Sequence, residues 1–279
     1  MIPVAVLGLG AMGLPMVTHL ASGDDFEVRG FDITPERREL AGAAGARPTG
    51  SAREAAAGAA VVVVSVRDGA QLETVLFGAD DDSGVAGVLD PGAVVVVTST
   101  VGEAAVVAAA QRLAERGVHT VDAPVSGGPV RAGTGDLLVM VGAPEEAIAA
   151  AREVLDALAS TLHVVGDRVG QGQQLKVVNQ LLCGIHTAAA AEALALAHRL
   201  GLDLDRVIDV LGQGAAASFM LADRGPRMAQ QLRGEEPPLR SRLDVIGKDM
   251  RIVADLTRTV RLATPTASGA DQLYRLGEA

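Results

Sequence analysis

The chain has 279 residues, 49% of them hydrophobic but only 2% aromatic, with 33 glycines and a formal charge of −10. That length holds one large or two ordinary domains around a substantial core of alanine, valine and leucine. The acidic balance argues against nucleic acid or an anionic membrane as partner. The single cysteine, Cys183, excludes an intramolecular disulfide and fits a reducing compartment.

The N-terminus enters a strand at once, with no basic region or cleavage site, so a cytoplasmic protein is expected. The longest apolar runs, residues 59–64 and 93–97, are strand-sized, so no transmembrane helix is expected. Residues 4–7 read as a short buried strand, followed by Gly8-Leu9-Gly10-Ala11-Met12-Gly13 and a helix over 14–21. This is the G-x-G-x-x-G fingerprint in the strand–turn–helix setting it requires. Gly8 permits the tight turn, Gly10 lets the backbone approach a pyrophosphate, and Gly13 allows close helix–strand packing. The helix N-terminus then offers its amides to the phosphates. A second strand, 27–31, ends at Asp32, 19 residues after Gly13, where an acid accepts from the adenosine ribose hydroxyls. The same carboxylate repels a 2′-phosphate, which favours NAD over NADP. Arg37 and Arg38 follow, either to hold such a phosphate or as solvated charges on a helix starting near Pro35.

Strands over 61–65, 94–98, 118–122 and 137–141 alternate with helical stretches over 52–57, 71–76, 103–116 and 145–158. The rhythm predicts a doubly wound, mostly parallel Rossmann sheet over residues 1–166. Residues 78–92, with three successive aspartates, read as a surface loop. Ligands sit at the carboxyl ends of strands in such sheets, where Ser65-Val66-Arg67, Ser99-Thr100 and Ala123-Pro124-Val125-Ser126-Gly127-Gly128 fall. Ser126, Gly127 and Gly128 offer a hydroxyl and two amides to a carboxylate, or form an ordinary glycine turn.

After about Gly166 the strand signal stops, and residues 167–279 read as an all-helical domain for substrate binding and oligomerisation. A long helix over about 171–200 would join the two domains, with breaks at Gly201, Gly212 to Gly214, Gly225-Pro226 and Gly234 to Pro238. Its first turns carry one lysine, Lys176, among apolar residues, with the amides Asn179 and Gln180 three and four residues on. A lysine held in an apolar setting near a cleft is suited to passing protons, whereas an isolated one more often covers apolar surface with its stem. Asp244 and Lys248, four apart, form a surface pair or else let Lys248 reach the cofactor. The five histidines, His19, His119, His163, His186 and His198, are scattered, and no cluster has the spacing of a metal site.

Four blocks, in order, give the chain its likeness to a known group: Gly8 to Met16, Asp122 to Gly128, Gly170 to Gln180, and Gly247-Lys248-Asp249-Met250. The chain resembles the β-hydroxyacid dehydrogenase family, which includes 3-hydroxyisobutyrate, tartronate semialdehyde and L-threonate dehydrogenases, from Val4 to about Tyr274. The resemblance implies hydride transfer between NAD, with NADP as alternative, and the hydroxyl carbon of a small carboxylate-bearing 3-hydroxy acid or aldehyde acid. It implies Lys176 as general acid and base, and a substrate carboxylate near Ser126, Gly127 and Gly128. Asn179 and Gln180 would contact substrate. Gly8, Leu9, Gly10, Ala11, Met12, Gly13, Asp32, Ser65, Val66, Thr100 and Lys248 would contact the cofactor. No metal is implied, and a homodimer or homotetramer is expected.

Two departures stand out. Most members have Asn four residues after the lysine, where this chain has Gln180; with His186 and Ser218-Phe219-Met220 this looks closest to the L-threonate branch, although Phe219 replaces a Trp. The sequence also stops at Ala279 without the acidic, apolar tail of many members, which would leave one edge of the cleft more open. Two other readings compete: an NADPH-dependent imine reductase of the same architecture, which usually lacks the lysine, and an inactive NAD-binding module.

Overall fold

In a computed structural model of the chain, which describes residues 1–79, 83–238 and 242–278, runs of valine form the middle of a sheet. The chain divides into two units, Met1–Lys176 and Val177–Ala279. The first unit opens with β1 (Ile2–Leu7), α1 (Gly13–Leu20), β2 (Phe26–Phe31), α2 (Pro35–Ala43), β3 (Arg47–Pro48) and α3 (Ala52–Ala56). It continues with β4 (Val61–Val64), α4 (Gly69–Phe77), β5 (Val94–Val97), α5 (Glu103–Ala114), β6 (His119–Asp122), β7 (Val125–Ser126) and α6 (Gly128–Ala132). It closes with β8 (Leu137–Gly142), α7 (Glu145–Ala150), α8 (Arg152–Leu158) and β9 (Ala159–Gly166). Helix α9 (Gln171–Arg199) straddles the division, and α10 (Leu204–Gly212), α11 (Phe219–Leu232), α12 (Leu243–Thr259) and α13 (Pro265–Glu278) follow.

The strand order is β3-β2-β1-β4-β5-β6-β8-β7, with β9 on β8. Pairing is parallel from β3 to β6 and again between β8 and β9, and β8 runs antiparallel to β6 and β7. This is the expected doubly wound, mostly parallel sheet. The unbroken valines of β4 and β5 follow from burial on both faces. Val61, Val63, Val94 and Val96 pack with Met16, Val17 and Leu20 of α1. Val62, Val64, Val95 and Val97 pack with Leu72 and Leu76 of α4 and Leu113 of α5. The carboxyl ends of β1, β4, β5 and β6 therefore share one edge of the sheet, where the first unit's candidate residues for the cofactor lie.

Several expectations need correction. The helical stretch over 145–158 is two helices, parted at Ala151, which adopts φ −100° and ψ 2°. Strand β9 has no counterpart among the expected strands; much of it is exposed, Val164 by 54%, so it lacks a buried-strand pattern. Gly225-Pro226 does not break a helix, because α11 runs through Pro226. Proline there removes one backbone donor, but α11 buries Leu221, Gly225 and Ala229, and Gly225 lies against Ile208 of α10. Burial of that face outweighs the local preference. Gly201 and Gly234 do follow the ends of α9 and α11, with φ of +72° and +82°. Asp80, Asp81 and Asp82 of the expected surface loop lie outside the described residues.

The expectation of no membrane-length apolar helix is also corrected. Among the described residues α9, 29 residues long, is apolar enough by length and composition to cross a membrane. Its alanines and leucines raise the hydropathy, and it also buries Gln173 and Lys176, polar side chains that are rare in membrane-spanning segments.

Candidate active site

The fingerprint loop is shaped by close backbone contact. Gly8 has φ +89°, and a Cβ there would stand 2.3 Å from Ser65 O. A Cβ on Gly13 would stand 1.9 Å from Gly8 O, so glycine at 13 lets α1 start this close to β1, and glycine at 8 lets the turn lie against the end of β4. Over Gly10, by contrast, a Cβ would meet nothing within 4 Å. No side chain caps the start of α1 at Met12; Leu14 N is taken by Gly10 O and Pro15 has no N–H, so the helix start favours an anion chiefly through its macrodipole. Asp32, just past β2, accepts from Leu9 N through Oδ2 at 2.7 Å and from Thr34 N through Oδ1 at 2.8 Å. These features fit a dinucleotide: open space at Gly10, an uncapped helix start and a carboxylate fixed beside the loop. Arg38 Nη1 donates to Asp32 O at 3.1 Å, and its guanidinium lies 5.5 Å from the Phe31 ring centre, whereas Arg37 is exposed.

The ends of β4 and β5 are stitched together. Val66 N donates to Ser99 Oγ at 2.7 Å, and Thr98 Oγ1 donates to Val64 O at 3.0 Å. Ser65, Val66 and Thr100 are thereby brought to the edge that carries the fingerprint loop. Beyond β6 the chain passes Pro124 and enters the half-buried turn Ser126, Gly127 and Gly128, whose glycines have φ of +138° and +78°. A Cβ on Gly128 would meet nothing within 4 Å, so its backbone faces open space.

Asp122 ends β6 and is 0% exposed. Its Oδ2 accepts from Gly170 N at 3.0 Å and Gln173 N at 2.9 Å, and its Oδ1 accepts from Gln173 Nε2 at 2.9 Å. Gln173, also 0% exposed, donates to Ser99 O at 2.9 Å through Nε2 and accepts at Oε1 from Val101 N and Gly102 N, both at 3.0 Å. Burial pushes the Asp122 carboxyl up from 3.8 to about 6, against the opposing pull of those hydrogen bonds. Lys176, one turn further along α9, is 6% exposed.

The second unit holds the other expected residues. Asn179 and Gln180 are half-buried on α9. Gln180 Nε2 donates to Asp249 Oδ2. Asp249, 5% exposed, also pairs with Lys248, whose Nζ stands 2.8 Å from its Oδ1. Asp244 meets Arg242 in a paired contact of 3.0 and 3.1 Å. His186 and His198 are exposed on α9. Sequence reasoning quoted Asp122, Gln173 and Asp249 only as members of blocks and assigned them no role. Only Asp122 carried a signal, a carboxylate closing a buried strand; Gln173 and Asp249 have polar neighbours in sequence.

Two family models match the chain. The NAD-binding domain of 6-phosphogluconate dehydrogenase matches residues 3–166, and the NAD-binding model of NADP-dependent 3-hydroxyisobutyrate dehydrogenase matches residues 170–279. L-Threonate dehydrogenase of Cupriavidus necator is 38% identical over 98% of this chain and 89% of its own length. The crystal structure of a 3-hydroxyisobutyrate dehydrogenase from Salmonella typhimurium is 36% identical, with a TM-score of 0.89 over 100% of this chain and 94% of that one. A Streptomyces aurantiacus imine reductase, 21% identical with a TM-score of 0.69 over 99% of this chain and 94% of its own, shares the fold.

Proposed function

The chain belongs to the β-hydroxyacid dehydrogenase family of NAD-binding oxidoreductases, and on that premise we propose that it interconverts a small hydroxy acid and its oxo acid, with Lys176 moving the proton. A four-carbon sugar acid of the L-threonate kind is the favoured substrate, supported by the 38% identical relative and by Gln180. The observation that carries the reading is the burial of Lys176 on a helix that leaves Leu175 and Val178 39% and 56% exposed. Covering an ammonium while a leucine and a valine face water is unfavourable for packing alone.

A bound nicotinamide supplies the hydride acceptor in oxidation and the donor in reduction. Ser126 Oγ and the amides of Gly127 and Gly128 hold the substrate carboxylate. Lys176 Nζ takes the hydroxyl proton as the carbon–oxygen double bond forms, and returns it in the reverse direction. Asn179 and Gln180 read the remaining hydroxyls. Gly8, Leu9, Gly10, Ala11, Met12, Gly13, Asp32, Ser65, Val66, Thr100 and Lys248 hold the cofactor. With Asp32 fixed at the loop, NAD is preferred over NADP. The protein works in the cytoplasm as a homo-oligomer, a reading supported by the exposed apolar residues of α9.

The test is a spectrophotometric screen of C3–C5 hydroxy acids with NAD and NADP on wild type and Lys176→Ala. The variant should lose about 10²- to 10⁴-fold in kcat, with NAD affinity nearly unchanged. Near-wild-type turnover would remove the lysine from the mechanism. Turnover of a cyclic imine with NADPH, and of no hydroxy acid, would favour the imine reductase reading instead.

A further inference from the structure

We infer that Asp122 and Gln173 are positioning residues: together they clamp the first turn of α9 onto the ends of β5 and β6, and so fix where Lys176 stands. The inference rests on the reading of Lys176 as the proton-moving group. Asp122 takes the amides of Gly170 and Gln173 at the start of the helix, while the Gln173 side chain reaches back to Ser99, Val101 and Gly102 after β5. The two side chains also bond to each other at 2.9 Å. Gly172 lets the helix come this close, because a Cβ there would stand 2.6 Å from Met140 O and 2.8 Å from Asp122 O.

Geometry ties this clamp to the chemistry in two ways. Lys176 follows Gln173 by three residues, so the two lie on nearly the same helix face, about 4.5 Å apart along the axis. A slide or roll of the first turn therefore moves Nζ directly. Asp122 also lies four residues before Ser126 in the chain. One carboxylate thus ends the strand that leads to the proposed carboxylate-binding turn and holds the helix that carries the lysine. A misplacement of about 1 Å at a reacting group can cost 10²-fold in rate, which is the scale a positioning device governs.

The polarity of the pair supplies the test. Each of these bonds to the Asp122 carboxylate comes from a donor, so Asp122→Asn sets an NH2 against either the Gln173 amide or a backbone N–H. Gln173→Glu sets a second carboxylate against the first. The double variant Asp122→Asn/Gln173→Glu exchanges acid and amide. Position 122 then keeps an oxygen for the two backbone amides and turns its NH2 toward the new carboxylate. That carboxylate still accepts from Val101 and Gly102, and the bond to Ser99 O is lost.

Each single variant should lower kcat by about ten- to a hundredfold while the NAD dissociation constant, measured by titration calorimetry on the same samples, stays within about twofold. The double variant should recover about tenfold over the worse single. Singles with wild-type kcat, NAD affinity falling in step with kcat, or a double no better than the worse single would each overturn the clamp. If a single does not fold, the double variant decides alone: kcat within about tenfold of wild type supports the clamp, and an NAD-binding double variant as inactive as Lys176→Ala overturns it. Full turnover by Lys176→Ala would bring down the lysine reading and the clamp with it. An inactive Lys176→Ala beside fully active clamp variants would bring down the clamp alone.

Discussion

A carboxylate only accepts hydrogen bonds, so the buried side chain of Asp249 decides which end of the Gln180 amide faces it. The NH2 end is committed there, which turns Oε1 into the atom that meets a substrate hydroxyl on the reading proposed above. Lys248, held 2.8 Å from the other oxygen of Asp249, compensates the buried charge, as an acid this deep requires. Asparagine at this position is shorter by one methylene, about 1.5 Å, and cannot keep the bond to Asp249 while placing its carbonyl in the same spot. Gln180→Asn should therefore lower the ratio of kcat/KM for L-threonate over 3-hydroxyisobutyrate by about tenfold, the worth of one hydrogen bond to a substrate hydroxyl. Parallel kinetics on the two acids read this directly. An unchanged ratio would mean that Gln180 does not discriminate between them.

Helix α9 carries an inverted face: Gln173 and Lys176 are buried, while Leu175, Val178 and Leu182 are 39%, 56% and 48% exposed. Periodicity rules assume that apolar residues point inward, so the existence and length of α9 are legible in the sequence but the direction it faces is not. The strands β4 and β5 are the opposite case, since four valines buried on both sheet faces leave a continuous apolar run that admits few other readings. The fingerprint glycines are legible for a related reason: the contacts that forbid a Cβ at Gly8 and Gly13 arise within one short strand–turn–helix unit and its neighbouring strand. The clamp is not legible, because Asp122 and Gln173 are 51 residues apart, and neither is the pairing of Gln180 with Asp249 across 69. No local pattern marks which buried polar groups will meet. Gly172 is where the consequence for α9 can be measured. Its missing Cβ would press on the carbonyls of Met140 and Asp122, backbone atoms that cannot rotate away. Gly172→Ala should cost about 2 kcal/mol of unfolding free energy by overpacking, read from urea midpoints. Gln174→Ala, at the next exposed position of the helix, should stay within about 0.5 kcal/mol. Equal effects at the two sites would show that the helix start tolerates displacement.

For the molecule as a whole, Asp122 links the clamp to stability over a defined pH range. Its carboxyl is pushed up from 3.8 to about 6, chiefly by burial. A raised acid binds its proton more tightly in the folded state than in the unfolded one. Its contribution is therefore fully present below about pH 4 and is lost as the pH rises through about 6. The size follows from the shift: about two pH units, or about 3 kcal/mol at 1.36 kcal/mol per unit. The ionised carboxylate at neutral pH is thus a strained choice for the fold, retained with donors on both oxygens, which is what a positioning role would require. The other acids that give the chain its charge of −10 also titrate in this range, so wild type alone does not isolate the effect. Asp122→Asn does, because it removes this one titration and leaves the rest. The free energy of unfolding of wild type minus that of the variant, from urea titrations between pH 4 and 8, should fall by about 3 kcal/mol between pH 4 and 6.5 and then level off. A difference that rises with pH would mean that the three hydrogen bonds from Gly170 and Gln173 to the carboxylate outweigh its burial, and a flat one that Asp122 titrates alike in both states.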